Sequence, residues 1–305
     1  MVVDTDLILS LAKTLIAVSW ADGELTPDEI TNMKEMLARI PNLNARQWMA
    51  VEMYIQSPVD ESERARLIGE LQTLVKTPEN QALVMQALDD MLAYTDEVSP
   101  EERQALEGVK AAFASGSSES VRGLSRLFRG RASSKPAAAV GPNREIYLDD
   151  FVMNRVYYAA SRRLERGEGT LDLPDAQLRK LSLAGGMMAK VAGANPQVTD
   201  EEVATMTGAL QTHWQLSGDE ATFVVDVALS QLSSELDNYR LASEFAHVTE
   251  YEERGQFIDV LFTIANADGG ITEPEIDEIS TLSNVLSLPR QRFFEAKRKA
   301  ATPKT

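Results

Sequence analysis

Leu25-Thr26-Pro27-Asp28-Glu29 is a helix start written in five residues, and the chain repeats it three more times. Thr26 is an N-cap, Pro27 stands at the first helical position where its missing N–H costs nothing, and Glu29, three past the cap, completes a capping box. The pattern recurs as Val98-Ser99-Pro100-Glu101-Glu102, Val198-Thr199-Asp200-Glu201-Glu202 and Ile271-Thr272-Glu273-Pro274-Glu275. Thr26 and Ser99 are 73 positions apart, Thr199 and Thr272 are also 73 apart, and Thr26 and Thr199 are 173 apart. Such spacing predicts a duplicated pair of helical hairpins.

The flanks agree. Leu25/Ile30, Val198/Val203 and Ile271/Ile276 are placed as hydrophobic staples, while Arg103 fills the staple position of the second segment. The 173-residue shift also lays Asn44-Ala45-Arg46-Gln47 on Ser217-Gly218-Asp219-Glu220, two further starts with a cap and a matching third residue. Apolar residues recur at helical spacing, as in Leu7, Leu11, Leu15 and Val18 or Ile258, Leu261, Phe262 and Ala265, and useful strand alternation is absent. The expected fold is all-α: two helical-bundle domains, each with internal pseudo-twofold hairpin repeats. The domains are placed at 1–116 and 146–305, with a Ser/Gly/Pro-rich basic linker over 117–145. Tyr147, Phe151, Val152, Val156 and Ala159 predict one extra amphipathic helix over 145–168 at the start of the second domain.

A length of 305 residues suits two domains without covalent staples, and the absence of cysteine excludes disulfides, thiolate metal sites and thiol nucleophiles. No signal peptide and no membrane-spanning run is read. The net charge of −17 is divided as −11 over residues 1–116, +4 over 117–145 and −10 over 146–305. Two acidic bodies repel nucleic-acid phosphates, so no DNA or RNA partner is expected.

Carboxylates at the hairpin turns are the sharpest chemical feature. Asp22 and Asp268 precede a glycine and stand four residues ahead of a capping threonine. Pairing of the two halves of each domain would bring Asp22 and Glu29 toward Glu102, and Asp268 and Glu275 toward Glu202. Oxygen ligands of this kind suit Ca²⁺, Mg²⁺ or Mn²⁺. The alternative is purely structural, because each glutamate already serves its own capping box and the positive end of its helix. Both readings stand at this point. His213 and His247 lack partners at metal-ligand spacing, Asn266 onward lacks the glycine an EF-hand loop needs, and neither a nucleophile elbow nor a phosphate-binding loop occurs, Gly185-Gly186 included.

The hairpins Ala21-Asp22-Gly23-Glu24-Leu25-Thr26-Pro27-Asp28-Glu29 and Ala267-Asp268-Gly269-Gly270-Ile271-Thr272-Glu273-Pro274-Glu275 resemble the hallmark of the tellurite-resistance TerB-like family. The resemblance implies two such modules, over about 1–116 and 175–300. It also implies an acidic, compact helical fold, a divalent-metal site, and a part in a bacterial stress response, often near membranes. Asp22, Glu29, Asp268 and Glu275 match the family's acidic positions; the inner repeats depart from it, with Thr95 and Asn195 in place of aspartate and Asp96 and Pro196 in place of glycine.

The resulting expectation is a non-enzymatic, cytoplasmic acidic adaptor with a protein partner and a divalent ion held by Asp22, Glu29, Glu102, Glu202, Asp268 and Glu275. One alternative is a scaffold peripheral to the inner membrane. In that reading Val121, Leu124, Leu127 and Phe128, ringed by Arg122, Arg126, Arg129 and Arg131 in the 120–131 segment, lie on an anionic surface. A metal-dependent hydrolase is the third reading. Oligomeric state is not legible.

Overall fold

The computed structural model describes residues 5–38, 43–94, 99–114, 143–232 and 236–301. Among them are fifteen α-helices and no strand, as the periodicity requires. The chain divides between Leu148 and Asp149 into two units. The 120–131 segment proposed for membrane contact lies outside the described residues. No helix among the described residues is long and apolar enough to cross a membrane.

Unit 1 holds α1 (Thr5–Ser19), α2 (Pro27–Ala38), α3 (Ala45–Ile55), α4 (Glu61–Leu74), α5 (Pro78–Tyr94) and α6 (Pro100–Ala114). α1 is apolar on two faces and sits between two cores. Leu7, Leu11, Leu15 and Val18 pack with residues of α4, α5 and α6, including Leu71, Leu88 and Val109. Leu9, Ala12 and Ile16 pack with Met33, Val51, Tyr54 and Leu67.

Unit 2 holds α7 (Leu148–Met153, which bridges the division), α8 (Arg155–Glu165), α9 (Asp175–Ala192), α10 (Asp200–Trp214), α11 (Gly218–Ser230), α12 (Asn238–His247), α13 (Tyr251–Ala265), α14 (Glu273–Val285) and α15 (Arg290–Ala300). Its apolar residues form one continuous core around α9, whose Leu181, Ala184, Met187 and Met188 are fully buried. Gly185 and Gly186 lie in this helix because its neighbours come close. A Cβ on Gly185 would stand 3.2 Å from Val224, and one on Gly186 3.2 Å from Val156 and 3.3 Å from Leu241.

Helix starts in the two units keep the spacing of the sequence. α2, α3, α5 and α6 begin at residues 27, 45, 78 and 100, and α10, α11, α13 and α14 begin 173 positions later in every case. α4 departs from this register: its N-cap Asp60 corresponds to Asp237, the N-cap of α12.

The single helix expected over 145–168 is a correction. A 3-10 turn at Arg144–Tyr147 leads into α7, and the chain breaks at Asn154 before α8. Asn154 is non-helical, accepts from the N–H of Tyr157 at 3.0 Å and donates to the carbonyl of Arg179 at 3.0 Å, so its side chain caps α8 while tying it to α9. Residues 144–148 also fall within unit 1, a little beyond the boundary that composition suggests.

Candidate functional site

Each acidic corner is built by a helix that ends, turns and restarts. After α1, a 3-10 turn at Trp20–Asp22 ends at Gly23, whose φ of 94° is left-handed and whose N–H donates to the carbonyl of Trp20 at 3.2 Å. Only glycine takes that conformation without strain. Asp22 Oδ1 accepts from the N–H of Glu24 at 3.1 Å, which fixes the turn. Thr26 then caps α2: its N–H and hydroxyl donate to Glu29 Oε2 at 2.8 and 2.7 Å. The corner before α14 repeats this, with Gly269 at φ 100° and Thr272 donating through N–H and hydroxyl to Glu275 Oε2, both at 2.7 Å.

The inner corners carry the same cap. The N–H of Ser99 donates to Glu102 Oε2 at 3.0 Å and that of Thr199 to Glu202 Oε2 at 2.8 Å. The boxes read at Asn44/Gln47 and Ser217/Glu220 are formed as well.

Burial distinguishes the four corner glutamates from ordinary surface caps. Glu29, Glu102, Glu202 and Glu275 are 7, 5, 1 and 1 % exposed. In unit 1, Glu102 is pushed up to about 7. Burial is the main cause; the N–H of Ser99 opposes it, and a hydrogen bond shared with Glu29, together with the charges of Glu29 and Asp22, adds to it. In unit 2, burial raises Glu275, the hydrogen bonds from Thr272 oppose the rise, and the charges of Glu202 and Asp268 reinforce it. The fold therefore brings Asp22, Glu29 and Glu102 within electrostatic reach of one another, and does the same for Asp268, Glu275 and Glu202. Asp22 and Asp268 are exposed at the turns.

Burial beside a like charge disfavours the ionised form of a carboxyl, which is the direction in which Glu102 and Glu275 are moved. The donors are hard oxygens of the type Ca²⁺, Mg²⁺ and Mn²⁺ take, and each glutamate commits Oε2 to its cap. Among the described residues, however, no group of three or more His, Asp or Glu side chains is arranged to hold a metal ion. What is formed is a glutamate pair beside a third charge.

One contact at the corner was not read from sequence. Thr272 Oγ1 lies 3.0 Å from Asn195 Oδ1, so the turn after α9 meets the turn before α14 directly. Asn195 stands four residues ahead of Thr199, as Asp22 does ahead of Thr26, and that shared offset was the available signal. Its amide brings no charge to a corner already crowded with carboxylates. Thr95 and Asp96, the corresponding departures in unit 1, lie outside the described residues. His213 and His247 are both exposed, and His213 edges a cavity of about 30 Å³ beside Trp214 and Glu253, room for about one water.

Residues 182–298 match the family model described as tellurite resistance protein TerB. This part of the chain is a TerB domain. It takes in most of α9 and runs through α15, so the corner of Glu202, Asp268 and Glu275 lies inside the TerB match and that of Asp22, Glu29 and Glu102 lies outside it. No curated protein and no solved structure is significantly similar to the chain.

Proposed function

We propose that this protein is a non-enzymatic acidic adaptor in a bacterial stress response of the tellurite-resistance kind, in which each unit binds a divalent cation at its acidic corner. The TerB domain at 182–298 supports a tellurite-resistance-like function. The observation that carries the cation reading is the buried glutamate pair of each corner, faced by an aspartate and held in place by capping bonds. A cation would offset the mutual repulsion that a proton offsets in its absence. Glu29 and Glu102 would hold it in unit 1 and Glu202 and Glu275 in unit 2, with Asp22 and Asp268 adding negative charge beside each pair. The ion would supply positive charge that fixes the two hairpins against each other.

Unit 1, with its matching helix starts, is taken as a second module of the same kind. Acidic surface on both units favours a protein partner that is basic, in the cytoplasm.

Calorimetric titration of the full-length protein with Ca²⁺, Mg²⁺ and Mn²⁺ tests this. Saturable heat is expected for at least one ion, with Asp22→Asn and Asp268→Asn each removing about half of the sites. No heat from any of the three ions leaves capping as the whole role of these acids.

A further inference from the structure

α15 carries the opposite charge to the unit it closes. Five of the fifteen basic residues between 146 and 305 lie in its eleven positions, against one acid, Glu295, in a span whose net charge is −10. Phe293 and Ala296 form its buried face, and Phe293 meets Phe262 edge-on with ring centroids 5.2 Å apart. Two of the cations are committed to the fold. Arg292 and Lys299, seven positions apart and so on one flank, both reach Asp259 of α13, at 2.7 and 2.9 Å, and Arg292 also donates to the carbonyl of Gly255 at 2.6 Å.

The other flank has no such account. Arg290, Phe294 and Arg298 recur every four residues along it, and Lys297 stands three past the phenylalanine. Phe294 is 55 % exposed, yet its ring is braced edge-on against Phe293 at 5.5 Å, so the core sets where it stands. Neither Arg290 nor Lys297 has an ion-pair partner among the described residues. Lys297 suits the negative end of the helix. Arg290 stands in the first turn, where the helix dipole favours an acid, and α15 has no acid there. Its charge therefore works against the helix and serves nothing inside the unit.

We propose that this flank is a docking surface for an acidic segment of a partner protein, with Arg290 and Lys297 pairing the segment's carboxylates and one of its aliphatic side chains covering Phe294. Charge complementarity selects the occupant, and its size does too. A short segment meets these cations within a Debye length of about 8 Å, whereas a bilayer or a nucleic acid also presents its phosphates to the acidic remainder of the unit. A membrane-surface helix further needs a broad apolar face, and the outward flank offers one ring while Phe293 and Ala296 are committed to the core. A second copy of the chain brings its own net charge of −17 against this one. The adaptor thus holds partners of opposite charge on different surfaces, and the docking flank stands independently of a cation at the acidic corners.

The test is fluorescence anisotropy at physiological ionic strength with the full-length protein and a labelled twelve-residue peptide of alternating Glu and Asp around two central leucines. Saturable binding is expected, weakened about tenfold by Arg290→Glu combined with Lys297→Glu and severalfold by Phe294→Ser. A peptide with serine in place of leucine should bind the parent as poorly as the leucine peptide binds Phe294→Ser. Arg290 and Phe294 are exposed, so the variants should keep the parent's circular dichroism; on the parent itself, severalfold more salt should weaken binding by about tenfold. Absence of saturable binding, or binding that the double variant leaves unchanged, overturns the proposal. So does a parent protein that ignores the peptide but uses the same residues to co-sediment with phosphatidylserine vesicles or to self-associate in analytical ultracentrifugation.

Discussion

Glu102 does two things at once: it accepts the N–H of its own capping serine and it stands buried beside the carboxyl of Glu29, which favours its neutral form. Its carboxyl, ordinarily at 4.5, is held at about 7 in the fold, so the folded state keeps a proton that the unfolded chain releases between those values. The associated stability is complete below about pH 4.5 and is lost as pH rises through about 7. Unit 1 should therefore melt at a lower temperature at pH 8 than at pH 5. Glu102→Gln keeps the box, since glutamine serves at the third position, and removes the charge. It should flatten that slope and raise the pH 8 midpoint by about several degrees. Thermal melts at the two pH values check this, and parallel slopes for parent and variant would refute it. Burial shifts Glu275 in the same direction, so the TerB domain should show the same trend.

The turns and helices make a paired prediction. Gly269 is left-handed and has open space where a Cβ would sit, so Gly269→Ala meets no clash and isolates the backbone strain, about 1–2 kcal/mol. Gly208 lies inside α10, also with open space, and Gly208→Ala should stabilise by about 0.5–1 kcal/mol. Urea unfolding of the two variants should move in opposite directions. These local features were legible because caps, staples and left-handed glycines act within a few residues: Thr26, Thr199 and Thr272 announce their helices without help from the rest of the chain. The 73-residue spacing of the two halves of each domain then carried the prediction that the acidic corners meet. The break at Asn154 was not legible, since its cause is a carbonyl of α9 distant in sequence. Nor was the burial of Arg144, whose partners on α4 and in the connection between α3 and α4 are brought to it only by the fold, while its own surroundings read as a linker. The left-handed Gln215 and Ser287, where glycine is the usual signal, were equally silent.

At the scale of the molecule, the described apolar residues include two buried clusters in unit 1 and one larger cluster in unit 2. Heating should resolve two transitions, the lower belonging to unit 1. Met187→Ala, in the core of unit 2, should cost about 2–5 kcal/mol and shift only the upper one; a shift of both in calorimetry would show that the units unfold together. The adjacent glycines of α9 bear on how this unit can change over generations. Gly185 abuts α11 on one flank and Gly186 abuts α8 and α12 on the other. An added methyl on either side obliges a packed neighbour to give by a few tenths of an ångström, which a smaller neighbour grants most easily. Accepted replacements at these positions should travel in compensating couples, Gly185→Ala with Val224→Ala for instance, and lone replacements should be scarce among descendants of this domain.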